Sequence, residues 1–170
     1  DDPVDFAGHN IDLRIGYGVL SYPELVTVPI VHDRVTPLCS PEFLARSRLH
    51  QGDLASVGDE DLIHTNWGAR FASHPTWADW FRAAGAERRP EIELGHTTMM
   101  SSLAIDFAVS GRGIALGQLL LARDELADGR LVAPFAPSLP LGYAYCAVYP
   151  HARANKRVVT AFLDWIKGSL

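Results

Sequence analysis

The sequence predicts an α/β fold with two lobes, a hinge and a cleft. Strand-like runs alternate with amphipathic helical runs along the chain, which is typical of mostly parallel sheets covered by helices. Two extended runs, at residues 25–39 and 131–149, are much longer than the other strand-like runs. Each run is long enough to pass from one lobe to another, so we expect both to connect the lobes.

A helix–glycine–strand unit at residues 96–118 is the stretch around which the other elements are arranged. Thr97 or Thr98 is expected to cap the helix, and Gly111 to end it. The apolar run 114–116 is expected to be a strand buried on both faces. A capped helix start beside a cleft is suited to binding a carboxylate or another small anion. The helical residues expected to face the core are Leu103, Ala104, Phe107 and Ala108.

The remaining elements follow from periodicity and turn residues. Ser40 and Thr76 each precede a helical run and are expected to cap it. Pro29 cannot donate a ladder hydrogen bond, so the run 25–39 is expected to be either an edge strand or two strands joined by a bend. Further strands are expected at 11–15, 62–65, 91–94, 131–135 and 142–149, and further helices at 120–127 and 155–167, the last with Val158, Phe162, Trp165 and Ile166 on one side.

Composition excludes several classes of function. The net charge of −5 argues against the chain gripping nucleic acid by itself, because phosphate binding needs a basic face. No run is long enough for a transmembrane helix and no signal peptide opens the chain, so we expect a cytoplasmic protein without membrane contact. The abrupt start, almost directly into a strand, is typical of a piece of a longer protein.

The reactive residue types form no recognisable catalytic or metal-binding pattern. Cys39 and Cys146 lie far apart in apolar runs, which favours buried free thiols. His64, His74 and His96 lack the spacing of metal ligands, and no nucleophile is placed for His64 to activate. The glycines of GRGIALG follow a helix and precede a strand, the reverse of the dinucleotide-binding order. We therefore expect no enzyme, no metal and no cofactor.

Six segments carry a resemblance to a known family. They are VDFAGHNIDLRIGYG, LVTVPIVHDRVTPLCSPEFLA, WADWFRAAG, AIDFAVSGRGIALGQLLLARDELADGRLVAPF, LPLGYAYCAVYP and VVTAFLDWI, in that order and spread over nearly the whole chain. Together they resemble the effector-binding domain of LysR-type transcriptional regulators, in the glycine-cleavage-activator-like branch. The resemblance implies two Rossmann-like lobes joined by two crossing strands, as in type 2 periplasmic binding proteins.

The resemblance also implies a domain organisation. Residues 1–35 and 135–170 would form lobe one, incomplete at its N-terminal side, and residues 36–134 would form lobe two. The winged helix-turn-helix domain of the family has no counterpart in this sequence, so DNA would be bound only through that missing domain. The full-length protein would be a homo-oligomer, a dimer or a tetramer.

By the same resemblance, a small-molecule effector, possibly a carboxylate, binds in the cleft between the lobes. Four segments supply hydroxyls, amides and apolar surface to it. The residues carried over to this sequence are Tyr17, Gly18, Cys39, Ser40, His64, Thr65, Asn66, Trp67, Thr97, Thr98 and Met99. The function implied is effector sensing for a DNA-binding regulator; the alternative with the same fold is a solute-binding protein of a transporter.

Overall fold

Two long strands, Leu25–Leu38 (β2) and Leu139–Pro150 (β6), stand out in the computed structural model, which describes residues 4–18, 23–47 and 57–169. The chain divides into unit 1, residues 1–33 with 143–170, and unit 2, residues 34–142. Each long strand therefore has residues in both units. The lobe boundaries expected from the sequence fall after residues 35 and 134. The boundaries between the units fall after residues 33 and 142, two and eight residues away.

The other elements are short and alternate between strand and helix. The strands are β1 (Arg14–Tyr17), β3 (Leu62–Thr65), β4 (His96–Thr98) and β5 (Ile114–Gln118). The helices are α1 (Pro41–Arg46), α2 (Trp77–Ala83), α3 (Ser101–Val109), α4 (Arg123–Ala127) and α5 (Arg157–Ser169). Single 3-10 turns lie at Asp59–Asp61, Ala69–Phe71, Ile92–Leu94 and His151–Arg153.

In unit 1, β6 lies between β1 and β2, and β1 pairs with it in antiparallel register, Arg14 opposite Val148. Successive side chains of a strand point to opposite faces, so β6 supplies two separate apolar clusters. Cys146 and Val148 pack with Phe6. On the alternate positions of β6, Ala147 and Tyr149 pack with Val159 and Leu163 of α5.

In unit 2, the strands follow the order β2-β5-β3-β4. The central strand β5 is antiparallel to β2 and parallel to β3, and β3 is parallel to β4. All five residues of β5 are buried, Gln118 included, and the buried strand expected for the apolar run 114–116 is confirmed. The helix α3 packs through Ala104, Ile105 and Ala108 on a cluster that includes Ile63 of β3 and Ala115 of β5.

Two predicted helix starts are confirmed. The Ser40 hydroxyl accepts a hydrogen bond of 3.1 Å from the Phe43 N–H, directly before α1. Thr76 forms a capping box with Asp79 at the start of α2: its hydroxyl accepts from the Asp79 N–H, while the Asp79 carboxylate accepts from the Thr76 N–H at 2.9 Å. The predicted strand at 62–65 is confirmed residue for residue.

The predicted start of the helix after residue 96 is wrong. Thr97 and Thr98 belong to β4, and α3 begins at Ser101, with Met100 as an N-cap that contributes no side-chain hydrogen bond. Parallel pairing with β3 draws this segment into the sheet. The orientation of α3 also differs from the prediction, because Leu103 is exposed while Ile105 is buried.

Other boundaries differ because tertiary pairing overrides the local pattern. The run 25–39 forms one continuous strand as far as Leu38, with Pro29 exposed on it. It is neither two strands nor an edge strand, because β2 lies between β6 and β5. The strand predicted at 91–94 is a 3-10 turn, and that predicted at 131–135 is reduced to one bridge between Cys39 and Val132. Four other elements have different bounds from those predicted. The strand predicted at 11–15 covers 14–17, and the strand predicted at 142–149 covers 139–150. The helix predicted at 120–127 covers 123–127, and the helix predicted at 155–167 covers 157–169.

The last helix, α5, buries a different face from the one predicted. Val159 and Leu163 are buried, whereas Val158 and Trp165, which were expected to lie on the apolar side, are exposed. Phe162 contacts Trp165 with 5.6 Å between ring centroids. The periodicity of the sequence predicts the helix correctly, but packing against β6 determines which face of the helix is buried.

The capping box of α2 leads to a stability prediction. Thr76→Ala removes the acceptor of the Asp79 N–H, so the free energy of unfolding should fall by about 1 kcal/mol. Thr76→Ser keeps the hydroxyl and should change it much less. Urea denaturation followed by circular dichroism measures both values, and an alanine variant as stable as the serine variant would contradict the assignment.

Candidate ligand-binding site

Unit 2 contains a cavity of about 430 Å³ at the end of β3. Its size lies within the range of small-molecule sites, about 300–1,000 Å³. Five of the residues predicted to contact a ligand line it: His64, Thr65, Asn66, Trp67 and Thr97. The structure therefore brings together residues from two of the four predicted segments, whose nearest members, Trp67 and Thr97, lie 30 positions apart in the sequence.

The parallel register of β3 and β4 determines which side chains lie together. His64 is paired with Thr97, and Thr65 with Thr98. Paired residues on adjacent strands, which lie about 4.8 Å apart, point to the same face of a sheet, and consecutive residues point to opposite faces. His64 and Thr97 are therefore side-by-side neighbours, while Thr98 points to the other face.

Thr98 is the predicted site residue whose surroundings differ most from the expectation. It is only 6% exposed and does not line the cavity. Its hydroxyl accepts a hydrogen bond of 3.2 Å from the Met100 N–H, so it stabilises the turn before α3 rather than the helix itself. Its role in ligand binding stays a prediction.

The loop after β3 is held in place by backbone and side-chain hydrogen bonds of Asn66. The Asn66 N–H donates to the Thr98 carbonyl at 2.7 Å, which extends the contact between the two segments. The Asn66 side-chain oxygen accepts from the Gly68 N–H at 3.0 Å. Gly68 has φ +75°, a conformation that glycine adopts without steric cost, and the chain turns there beside Trp67.

Aromatic side chains contribute to the cavity wall; the sequence predicted Trp67 as a site residue but missed Phe71, His74 and Trp77. Trp67 meets His74 edge-on with 4.7 Å between ring centroids, and Phe71 stacks on His74 at 5.0 Å. Trp77 is 3% exposed, and its indole N–H donates to the Ile63 carbonyl at 3.0 Å. The signal in the sequence is the spacing of aromatic residues from Trp67 to Trp77.

His64 is the polar group in the wall whose environment is most unusual. Within the described part of the chain its Nε2 atom is buried and has no hydrogen-bond partner. Burial lowers the pKa of His64, and the nearby carboxylates of Asp59 and Glu93, which act to raise it, do not reverse this. Burial likewise lowers the pKa of His74. Both imidazoles are therefore neutral at pH 7.

The carboxylate of Asp59 is engaged elsewhere. It forms an ion pair with Arg88 and accepts the Glu91 N–H at 2.8 Å. Partial burial acts to raise the pKa of Asp59, but the Glu91 N–H and the Arg88 guanidinium outweigh it, and the pKa lies below the usual value. Arg88 also donates to the Val57 carbonyl at 2.5 Å, so it cross-links Val57 and Asp59.

Three other predicted residues of unit 2 lie outside the cavity lining. Cys39 is fully buried and exchanges backbone hydrogen bonds of 3.1 and 2.9 Å with Val132. Ser40 is the cap of α1. Met99 is 78% exposed between β4 and α3.

Tyr17 and Gly18 belong to unit 1, and their ligand-binding role stays a prediction. The Tyr17 hydroxyl accepts from the Tyr143 N–H at 3.3 Å, and its ring meets the Tyr145 ring edge-on at 5.0 Å. Burial raises the pKa of Tyr17. Gly18 has φ +87°, and its N–H donates to the Ala144 carbonyl at 2.9 Å.

Among the described residues, no three His, Cys, Asp or Glu side chains come together as a possible metal site. None of the helices in that part of the chain is long and apolar enough to cross a membrane.

The class of protein follows from the fold. The chain superposes on the effector domain of the transcriptional regulator AmpR from Pseudomonas aeruginosa with a TM-score of 0.72, at 23% identity, covering 98% of this chain and 75% of that one. The AmpR effector-binding domain from Citrobacter freundii gives a TM-score of 0.73 at 20% identity, covering 98% and 78%. The fold is that of LysR effector-binding domains, which are similar to type 2 periplasmic binding proteins.

The sequence assigns the family. The LysR substrate binding domain model matches residues 1–170, and the chain belongs to that family. This confirms the resemblance that the sequence segments carried. The family model, like the structures above, describes effector-binding domains of transcriptional regulators and gives no support to the transporter alternative.

Three relatives illustrate the similarity. They are an uncharacterised HTH-type regulator, y4mQ, of Sinorhizobium fredii (32% identical, covering 91% of this chain and 49% of the relative), the activator AmpR of Rhodobacter capsulatus (29%, 97% and 53%) and the glycine cleavage system transcriptional activator of Escherichia coli K12 (28%, 98% and 52%). The chain thus spans about half the length of the curated relatives it matches. All three are described as regulators of transcription rather than as enzymes.

Cys39 provides a test of burial at a predicted site position. Burial raises the pKa of its thiol to about 12, and Cys146 is buried as well, its pKa also raised. Since the thiolate is the reactive form, neither thiol should react appreciably with Ellman's reagent at pH 8 in the folded protein. Two thiols per chain should react after denaturation in guanidinium. A rapid reaction of one thiol in the folded state would show that Cys39 or Cys146 is accessible.

Proposed function

We propose that this chain is the effector-sensing part of a DNA-binding transcriptional regulator, and that a small metabolite binds in the cavity of unit 2. The observation that carries the proposal is the convergence of five predicted ligand residues on one cavity, in a chain that belongs to the LysR substrate binding domain family. In the whole protein, ligand binding would change the population of domain arrangements and with it the contacts of a DNA-binding domain.

The partners proposed for the whole protein are DNA and further copies of itself. Relatives described as HTH-type regulators and about twice as long as this chain support a separate DNA-binding domain. A homo-oligomer, either a dimer or a tetramer, is proposed for the full-length protein. A cytoplasmic location, as expected from the sequence, is part of the same proposal.

The chemical class of the effector is a separate part of the proposal. The sequence favoured a carboxylate held at the start of the helix after residue 96. The amides of the first turn of α3 support such a group in general terms. Thr98, however, already uses its hydroxyl for the Met100 N–H. The carboxylate therefore stays a prediction.

A thermal-shift screen of small metabolites tests the proposal directly. A ligand at one hundred times its Kd should stabilise the chain by about 2.7 kcal/mol and raise its Tm. Trp67→Ala removes aromatic surface from the cavity wall and should abolish or strongly reduce the shift. Trp165→Ala, in the exposed face of α5 in unit 1, is the matched control and should leave it unchanged. A shift that survives Trp67→Ala would locate the ligand elsewhere.

The two adjacent threonines of β4 make a second test with any effector found. Thr97→Val removes a hydroxyl that lines the cavity, and affinity should fall by roughly 3- to 10-fold, as for one lost hydrogen bond. Thr98→Val removes the acceptor of the Met100 N–H, and stability should fall by about 1 kcal/mol while affinity is kept. Calorimetry measures affinity and urea denaturation measures stability. If instead Thr98→Val lowers the affinity and Thr97→Val does not, Thr98 is the residue that contacts the ligand.

The charge of the chain predicts its behaviour with DNA. With a net charge of −5, the isolated chain should not shift duplex DNA selectively in a gel at any salt concentration. A sequence-selective, salt-sensitive shift would contradict the assignment of DNA binding to another domain.

A further inference from the structure

We infer that two copies of this chain associate through the outer edge of β4 in unit 2, in an antiparallel pairing with its two-fold axis at Thr97. The inference deepens the proposed function and rests on it, because it names the surface through which the proposed homo-oligomer forms. Three observations carry it: exposed apolar side chains on both sides of the strand, the direction of its backbone groups, and charges that match about the axis.

Exposed apolar side chains gather around β4. Ten large hydrophobic side chains are exposed among the described residues, and five of them lie in the short stretch 92–103. Two of the five precede the strand and three follow it: Ile92, Leu94, Met99, Met100 and Leu103, with exposures from 38 to 78%. Together they present on the order of 500 Å² of surface, which is about as large as the largest apolar patch on a typical monomer. Each partner in a standard interface buries about 800 Å², a little over half of it apolar, so this patch is large enough for a stable contact.

The outer edge of β4 offers backbone hydrogen bonds to another strand. β4 is the last strand in the sheet order, so the described part of the chain places β3 on one side of it and no strand on the other. The Thr98 carbonyl accepts from the Asn66 N–H and therefore points to the side of β3. Backbone groups of successive residues point to opposite edges of a strand, so the N–H and C=O groups of Thr97 point to the outer edge.

The direction of these groups sets the register of the pairing. β4 has three residues, and the middle one is directed outwards, so an antiparallel strand pairs with it at Thr97. When the partner is a second copy, a two-fold axis there makes Thr97 face its own counterpart. The two residues then exchange both N–H···O=C bonds, as a hydrogen-bonded pair does in an antiparallel ladder. The backbone is extended beyond both ends of β4, at Gly95 and at Met100, so the two copies can stay side by side over several residues.

This register makes the apolar patch complementary to itself. Residues at equal distances before and after Thr97 face each other across the axis. Leu94 of one copy therefore faces Met100 of the partner copy, and the same contact occurs twice in the dimer. Ile92 comes to the start of α3 in the partner copy, beside Leu103. The exposed apolar side chains before the strand thus meet those that follow it.

Charges match in the same arrangement. Glu91 and Glu93 are exposed just before β4, and the register brings them to the first turn of α3 in the partner copy. That turn contains no acidic residue, and its N-cap residue, Met100, makes no side-chain hydrogen bond. The start of a helix carries a partial positive charge, which favours nearby carboxylates. Because both the apolar and the charged groups match across the axis, the occupant of this edge is a second copy rather than a different protein.

Sedimentation velocity of the 170-residue chain over a range of concentrations tests the inference. The wild-type chain should form a species with twice the mass of one chain. Leu94→Lys and Met100→Glu should each weaken the dimer about tenfold or more, because each change places an unpaired charge in the interface twice. Val158→Lys is the matched control. Val158 is 58% exposed and Leu94 57%, but Val158 lies in α5 of unit 1, so its substitution should leave the dimer unchanged.

A mixture of the two weakened variants tests the register. In the mixed dimer the introduced lysine faces the introduced glutamate at one contact, while the other contact keeps the native pair of Leu94 and Met100. The mixture should therefore dimerise about fivefold or more tightly than either variant alone. Circular dichroism of each variant reports whether it is folded. If one of the two does not fold, the other still decides in comparison with Val158→Lys.

Four results would overturn the inference. They are a single-chain mass for the wild type at every concentration, a dimer that both Leu94→Lys and Met100→Glu leave intact, equal weakening by Val158→Lys, and a mixture that associates no better than its components. The sensing function is tested separately by the thermal-shift screen, whose outcome does not depend on dimer formation. A monomeric chain that a metabolite stabilises through Trp67 would refute only this inference. A dimer that no metabolite stabilises would refute only the sensing function.

Discussion

The parallel pairing of β3 with β4 is the interaction on which the candidate site depends. Its register sets His64 beside Thr97 on one face of the sheet and Thr65 beside Thr98 on the other. A shift by one residue would exchange the two faces, because side chains alternate along a strand. The Asn66 N–H bond to the Thr98 carbonyl continues the pairing beyond the last residue of β3. The same pairing thus locks the register and positions the loop that carries Trp67.

Residues from both faces of β3 line the cavity. Ile63 packs into the core with Ala104 and Ile105 of α3 and also lines the cavity, whereas His64 lines it from the other face.

The similarity to AmpR effector domains extends over nearly all of this chain, at 23% identity or less. At such identity the fold is shared, while the residues that contact a ligand are free to differ.

The sequence by itself determined the family, the α/β class and those elements whose signals are local. The caps at Ser40 and Thr76 and the strand Leu62–Thr65 were predicted correctly, because hydroxyl caps and short apolar runs act through neighbouring residues. It also predicted five residues of the cavity, through resemblance rather than through geometry. Only the tertiary structure decided that Thr97 and Thr98 lie in a strand, because pairing with β3 stabilises an extended backbone where local propensity favoured a helix. The aromatic wall was likewise decided by the fold, since packing alone brings Phe71, His74 and Trp77 around His64.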